Sequence, residues 1–369
     1  MKIKVKSILG LALCIVLLAG CNNTKKEKAI INKEVKDRIQ IGLSFDSYVI
    51  ERWQRDRDVF VSTANELGAD VNVQTANGSV EEQIEQIEYF IDKKMDVIVI
   101  IPADADSLKE VVNKAQNRGI KVIAYDRLIK NANVDLYISF DNEKVGKLMA
   151  ETLIANTPEY GKISVIFGPK TDNNVIMIEN GFTEVISKTN RQIVYKDYAK
   201  GWLAEEAFLA VNKTLDTTDR IDGMLCGNDD LASQAIRALS EHRLAGSVSV
   251  VGQDADLIAC QRIVEGTQSM TVYKPIEKLA KMAAEYAVML GKGDTVYSIQ
   301  YESKDATYDI RQSKSDIVYD DDTIFDGTYD VPYVKLEPIA VTKENIDEVI
   351  IDGGFHLEEE VYLNVSSEN

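Results

Sequence analysis

Histidine is almost missing from this 369-residue chain; there are two, His242 and His356. That leaves little material for imidazole acid–base catalysis or for histidine-ligated metal. Cysteine is scarce as well. Four cysteines with no C-x-x-C pair exclude a disulfide scaffold and give no support to structural zinc. Positive charge is outnumbered: 42 Lys and Arg against 60 Asp and Glu give a formal net charge of −18. Such a surface repels phosphate backbones, which argues against nucleic-acid binding. No G-x-x-x-x-G-K-[ST] or G-x-G-x-x-G follows a strand, and neither G-x-S-x-G nor H-E-x-x-H occurs. Beyond the N-terminus no segment is apolar enough to span a bilayer. What remains is an ordinary globular balance, 45% hydrophobic and 28% charged, long enough for two domains.

The N-terminus reads as an address. Residues 1–6, MKIKVK, carry three lysines, and an apolar run follows over 8–18. That run is too short to span and suits a signal-peptide core. It ends in Leu18-Ala19-Gly20-Cys21, the bacterial lipobox pattern of an aliphatic, two small residues and a cysteine. An ordinary secretory signal cleaved nearby is the plainer alternative. The lipobox reading removes residues 1–20, discards Cys14 and lipidates Cys21. Residues 21–37 become a polar tether, and acyl chains hold the protein at the outer face of the cell membrane. Cys226 and Cys260 remain as thiols. They either pair or are two small buried core residues.

From Arg38 onward strands alternate with helices. Strands are expected at 40–45, 70–73, 96–101 and 121–125, with helices at 50–67, 80–92 and 107–118. The pattern restarts after Ser139-Phe140-Asp141. Helices then fall at 142–154, 174–187, 203–214, 230–240, 255–265 and 275–290. The strands between them are 162–167, 192–196, 223–226, 248–252 and 269–273. The aliphatic DVIVII at 96–101 marks a parallel strand covered on both faces. Two successive sets of this kind imply two doubly wound parallel-sheet α/β lobes.

Ligands of doubly wound sheets bind beyond the carboxyl ends of the strands. Polar and aromatic residues gather there: Tyr125-Asp126-Arg127, Asp172-Asn173-Asn174, Asn228-Asp229, Gln253-Asp254 and Tyr273-Lys274. The two tryptophans, Trp53 and Trp202, fall one in each lobe. Indole faces pack well on the C–H faces of a pyranose. Arg52, Asp126, Arg127, Asp172, Asn174, Asn228, Asp254 and Lys274 offer the forked and charged groups that bridge adjacent sugar hydroxyls. Each has a bland reading. The tryptophans could be core, and Asp126-Arg127 a surface ion pair. Asp172 and Asn228 could simply cap helices, and Lys274 could mark a helix start. Their shared place after strands favours the sugar.

At these residues the chain resembles the D-xylose-binding protein family, of the ribose/galactose type of periplasmic-binding protein. The resemblance lies in Glu51-Arg52-Trp53-Gln54 with Asp56-Arg57-Asp58, Ala124-Tyr125-Asp126-Arg127, Tyr137 to Gly146, Asp172-Asn173-Asn174, Gly201-Trp202, Asn228-Asp229, Gly252-Gln253-Asp254-Ala255-Asp256 and Thr271 to Pro275. It implies a type I fold with three crossings between lobes, near Phe140, near Lys274 and after Tyr297. Lobe one is then 38–139 plus 275–297, and lobe two 140–274 plus 298–356. It also implies a sugar held between Trp53 and Trp202. Arg52, Asp126 and Arg127 contact its hydroxyls from lobe one, Asp172, Asn174, Asn228 and Asp254 from lobe two, and Lys274 at the hinge. No cofactor or metal is implied. The chain departs from the family in a long acidic, tyrosine-rich stretch at 303–330, read as a surface insertion or as a docking element. The acidic tail, 357–369, reads as a solvated end.

The implied function is a lipid-anchored, extracytoplasmic receptor for D-xylose that closes on the sugar and delivers it to the permease of an ABC importer. The alternative is a sensor whose closed form is read by the extracellular domain of a membrane histidine kinase. A glycosidase using two of the carboxylates is disfavoured, because the polar groups are spread to match hydroxyls.

Overall fold

The structure is a computed structural model that describes residues 38–296 and 323–365. The expected signal, Cys21 and tether, and most of the 303–330 stretch, lie outside these residues. The first sheet is built from β1 (Ile39–Phe45), β2 (Ala69–Thr75), β3 (Val97–Ile100), β4 (Lys121–Tyr125) and β5 (Leu136–Phe140). The second contains β6 (Lys162–Phe167), β7 (Gln192–Tyr198), β8 (Gly223–Cys226), β9 (Ser249–Gln253) and β10 (Met270–Tyr273). Late in the chain come β11 (Thr323–Phe325), β12 (Asp330–Leu336) and β13 (Ile339–Val341). The strand orders are β11-β12-β5-β4-β3-β1-β2 and β13-β10-β9-β8-β6-β7. All pairings are parallel except β11 with β12 and β13 with β10. This is the two-lobed α/β architecture expected from the alternation.

Helices cover both faces. In lobe one these are α1 (Arg52–Glu66), α2 (Val80–Asp92) and α3 (Lys109–Gln116). In lobe two they are α4 (Asn142–Asn156), α5 (Asn173–Ile186), α6 (Glu205–Thr217), α7 (Asp229–Glu241) and α8 (Leu257–Glu265). Helix α9 (Ile276–Gly291) returns to pack on α1 in lobe one. β3 reads VIVI and is fully buried, as a strand sandwiched between helices must be. Buried Gln83 of α2 ties the carboxyl ends of β1 and β3 together. Its Nε2 donates to Ile101 O at 2.9 Å and to Ser44 Oγ at 3.2 Å. Its Oε1 accepts from Ala103 N at 2.8 Å. Helices α4 and α5 approach so closely that a Cβ on Gly181 would lie 1.9 Å from Glu143 O.

Three expectations change. Leu136–Phe140 is a fully buried strand, an element that the strand–helix alternation does not announce. The third crossing is later than the stretch after Tyr297. β12 pairs with β5, so Thr323–Leu336 belong to lobe one, and the chain crosses between Leu336 and Ile339. Part of the acidic stretch is therefore sheet edge. The third change concerns the tail, which is not wholly solvated. Its short helix α10 (Glu358–Val361) packs on α8, Val361 is buried, and Gln261 donates to Glu360 O at 2.8 Å.

Candidate functional site: a closed cavity between the lobes

The carboxyl ends of both sheets face one another across a small cavity. Its lining is Arg52, Trp53, Asp126, Arg127, Asp172, Asn174, Trp202, Asp254 and Lys274, joined by Ile50, Asn142 and Gln253. Nine of the ten residues singled out from sequence thus meet in one place. The tenth, Asn228, is buried but not part of the lining. Its Oδ1 caps α7 by accepting from Leu231 N at 3.0 Å, while its buried Nδ2 has no hydrogen-bond partner. The capping reading of Asp172 also holds. Its Oδ1 accepts from Asn174 N at 2.9 Å, and its Oδ2 is held by Arg127.

The backbone at the site is shaped for the purpose. Asp126, Trp202 and Asp254 all adopt left-handed φ values, 61°, 59° and 100°. Such conformations cost about 1–3 kcal/mol each and persist only where the surroundings over-determine them. At Asp126 the surroundings do so. Its carbonyl accepts from Tyr137 Oη at 3.0 Å, Ser139 Oγ at 2.5 Å and Asn174 Nδ2 at 3.1 Å. Trp202 leaves β7 through a short 3₁₀ turn and lays its indole on glycine backbone. A Cβ on Gly168 would lie 2.3 Å from its Cη2.

Charge is balanced by pairing. Arg52 donates twice to Asp56, at 3.1 Å each, and sits 2.9 Å from Asp126 Oδ2. Arg127 pairs with Asp46 at 2.5 Å and with Asp172 at 2.7 Å. Lys274 pairs with Asp254 at 2.8 Å. Burial disfavours the charged form of Asp126, but Arg52, Lys274 and Arg127 outweigh it and hold the carboxyl below its ordinary value. At Asp172 burial wins over Arg127, and the carboxyl is raised. Arg52 also lies beside Trp53, with its guanidinium 4.5 Å from the ring centroid. Sequence reasoning did not assign Asp46, Asp56 or Asn142 to the site, although Asp56 and Asn142 fall in segments that carry the family resemblance. Asp56 carried a signal, since it stands one helical turn from Arg52.

Many of these contacts bridge the lobes. Arg127 and Asp172 do, as do Asp126 and Asn174, and Ala105 N donates to Thr171 O at 3.0 Å. The conformation is closed. Within it, Arg52 Nη1, Arg127 Nη2, both indole Nε1 atoms and Gln253 Oε1 are buried without hydrogen-bond partners. Among the described residues no cluster of His, Cys, Asp and Glu could hold a metal ion. Cys226 and Cys260 are both buried free thiols.

A family profile described as "Periplasmic binding protein domain" matches residues 41–295. The chain is 43% identical over 329 residues to the D-xylose-binding periplasmic protein of Haemophilus influenzae, covering 88% of this chain and 92% of that one. It is 42% identical over 363 residues to the D-xylose-binding periplasmic protein of Escherichia coli, covering 97% and 100%. An ABC transporter solute-binding protein from Clostridium phytofermentans, solved with bound β-D-glucose, superposes with a TM-score of 0.74. That likeness has 26% identity and covers 87% of this chain and 99% of that one. The domain match and the two long alignments agree with the two-lobed fold: this chain belongs to the periplasmic binding protein family, as a binding protein and not an enzyme.

Proposed function

We propose that the protein is an extracytoplasmic sugar receptor, specific for D-xylose, that closes on its ligand and hands it to an ABC importer. The observation that carries this reading is the buried set of unpaired donors and acceptors around a small cavity walled by two indoles. An unpaired buried polar atom costs about 1–3 kcal/mol, and several together call for a ligand rich in hydroxyls. The names of the Haemophilus and Escherichia relatives direct the choice to xylose. Ligand contacts are assigned to Arg52, Trp53, Asp126, Arg127, Asp172, Asn174, Trp202, Asn228, Asp254 and Lys274. Lipidation of Cys21 anchors the receptor to the outer face of the membrane.

Titration calorimetry of residues 22–369 against xylose, ribose, arabinose, glucose and galactose tests the reading. Tight binding of xylose alone is expected; binding of no pentose overturns it. The sensor reading, with a histidine kinase as partner, draws on exposed Phe325 and Tyr329 at the β11–β12 edge hairpin. Copurification of the xylose-loaded receptor with a permease or with a kinase ectodomain separates the two.

A further inference from the structure

The lobes also touch away from the cavity. Arg55 of α1 reaches from lobe one to the carbonyl of Phe355, and both Nη1 and Nη2 donate to it at 3.2 Å. Its guanidinium lies over the Phe355 ring, 4.5 Å from the centroid. Its Nε is held at 2.9 Å by Glu277 of α9, a lobe-one residue. Phe355 is anchored in lobe two. Its amide donates to Ile350 O at 2.9 Å, and its ring packs on Tyr273 with centroids 4.8 Å apart. The next residue, His356, bonds Ala255 O at 2.8 Å, on the loop that carries Asp254.

We propose that Arg55 and Phe355 form a closure latch: a contact outside the sugar cavity that sets how long the receptor stays shut. Arg55 is not among the cavity-lining residues, so it has no part in recognising the sugar. A contact made only when the lobes meet stabilises the closed form alone, and ligand affinity rises with the closed population. Glu277 pre-orients the fork, so little freedom is lost when it meets the carbonyl. Tyr273, Phe355, His356 and Ala255 then connect the latch to the left-handed turn at Asp254. The effect on sugar binding rests on the xylose reading; the effect on lobe opening does not.

The test compares wild type, Arg55→Ala and Arg55→Lys by calorimetry and stopped-flow tryptophan fluorescence with xylose. Arg55→Ala is expected to weaken binding by roughly three- to tenfold, nearly all through faster dissociation. Arg55→Lys, which keeps the charge but loses the fork, falls between. The association rate should stay within about twofold of wild type, which a general disturbance of lobe one would not allow. Equal dissociation rates in wild type and Arg55→Ala would overturn the latch. If the wild type binds no sugar, the xylose reading fails instead, and small-angle scattering of the sugar-free proteins decides. A larger radius of gyration for Arg55→Ala then supports the latch, and identical curves reject it.

Discussion

Arg127 and Asp172 stand on opposite lobes, and their Nε and Oδ2 atoms meet at 2.7 Å with both side chains almost fully buried. Lobe opening must break this pair, so it belongs to the closed form in the same way as the ligand does. Its energy depends on Asp46, which shares the Arg127 charge. Removing one partner from a buried pair costs about 3–5 kcal/mol where the other charge is left uncompensated, and less here because Asp46 stays beside Arg127.

Asp172→Asn is therefore expected to weaken sugar binding at least about a hundredfold. The asparagine keeps an oxygen to cap α5, so melting of the sugar-free protein should change by only a few degrees. A calorimetric titration beside a sugar-free melt separates these. A large loss of sugar-free stability with unaltered affinity would show that the pair holds the fold and not the closure.

Gly168→Ala places a methyl where the Trp202 indole lies, 2.3 Å from its Cη2. The ring must tilt, and sugar affinity is expected to fall at least about fivefold, a stacking loss of about 1 kcal/mol or more. Trp202→Ala should abolish sugar-dependent stabilisation while leaving the lobes folded. Thermal shift with and without xylose reads both. An unchanged shift in Trp202→Ala would remove the indole wall from the site.

Burial, with the Asp254 carboxylate nearby, pushes the Asp229 carboxyl up. The folded protein thus binds a proton more tightly there than the unfolded chain, whose aspartates titrate at about 3.9. This contribution makes stability fall as pH rises above about 4, by at most about 1.4 kcal/mol per pH unit. Asp126, held below its ordinary value, acts in the opposite sense at lower pH. There the stability it adds is lost as pH falls through its folded value. Asp229→Asn should flatten the slope from pH 5 to 8 in urea melts; a slope equal to wild type would assign it to other groups.

Cys21→Ala is expected to abolish labelling by a fatty-acid analogue in growing cells and to leave the receptor unprocessed or released. Labelling that persists in the variant would dismiss the lipobox.

The site was legible because parallel sheets present it in a fixed place. Residues after β4, β6, β9 and β10 must face the cleft, so Asp126, Arg127, Asp172, Asp254 and Lys274 could be named from strand positions alone. Trp53 and Trp202 stood out by rarity. Asp46 was hidden because it acts on Arg127, and such a supporting carboxylate has no pattern of its own; Asp56 had its one-turn spacing from Arg52, which is also that of an ordinary helix-surface ion pair. Asn228 is the intermediate case, a helix cap in fact and a spare donor besides. The third crossing was illegible for another reason. The expected strands end at 273; β12, DVPYVKL, carries a proline inside its run, and only pairing with distant β5 shows that it is a strand and which sheet it joins.

That pairing has a consequence for how the chain is made. Tyr333 donates to Phe140 O at 2.8 Å across 193 residues of sequence. β12 borders lobe one and β13 borders lobe two, so neither sheet is complete until the last stretch of the chain is synthesised. Contacts of such separation form slowly, because the loop must close before it is rewarded. A nascent chain of this design stays incompletely folded until its end emerges, and an early stop would leave two unfinished edges open to aggregation.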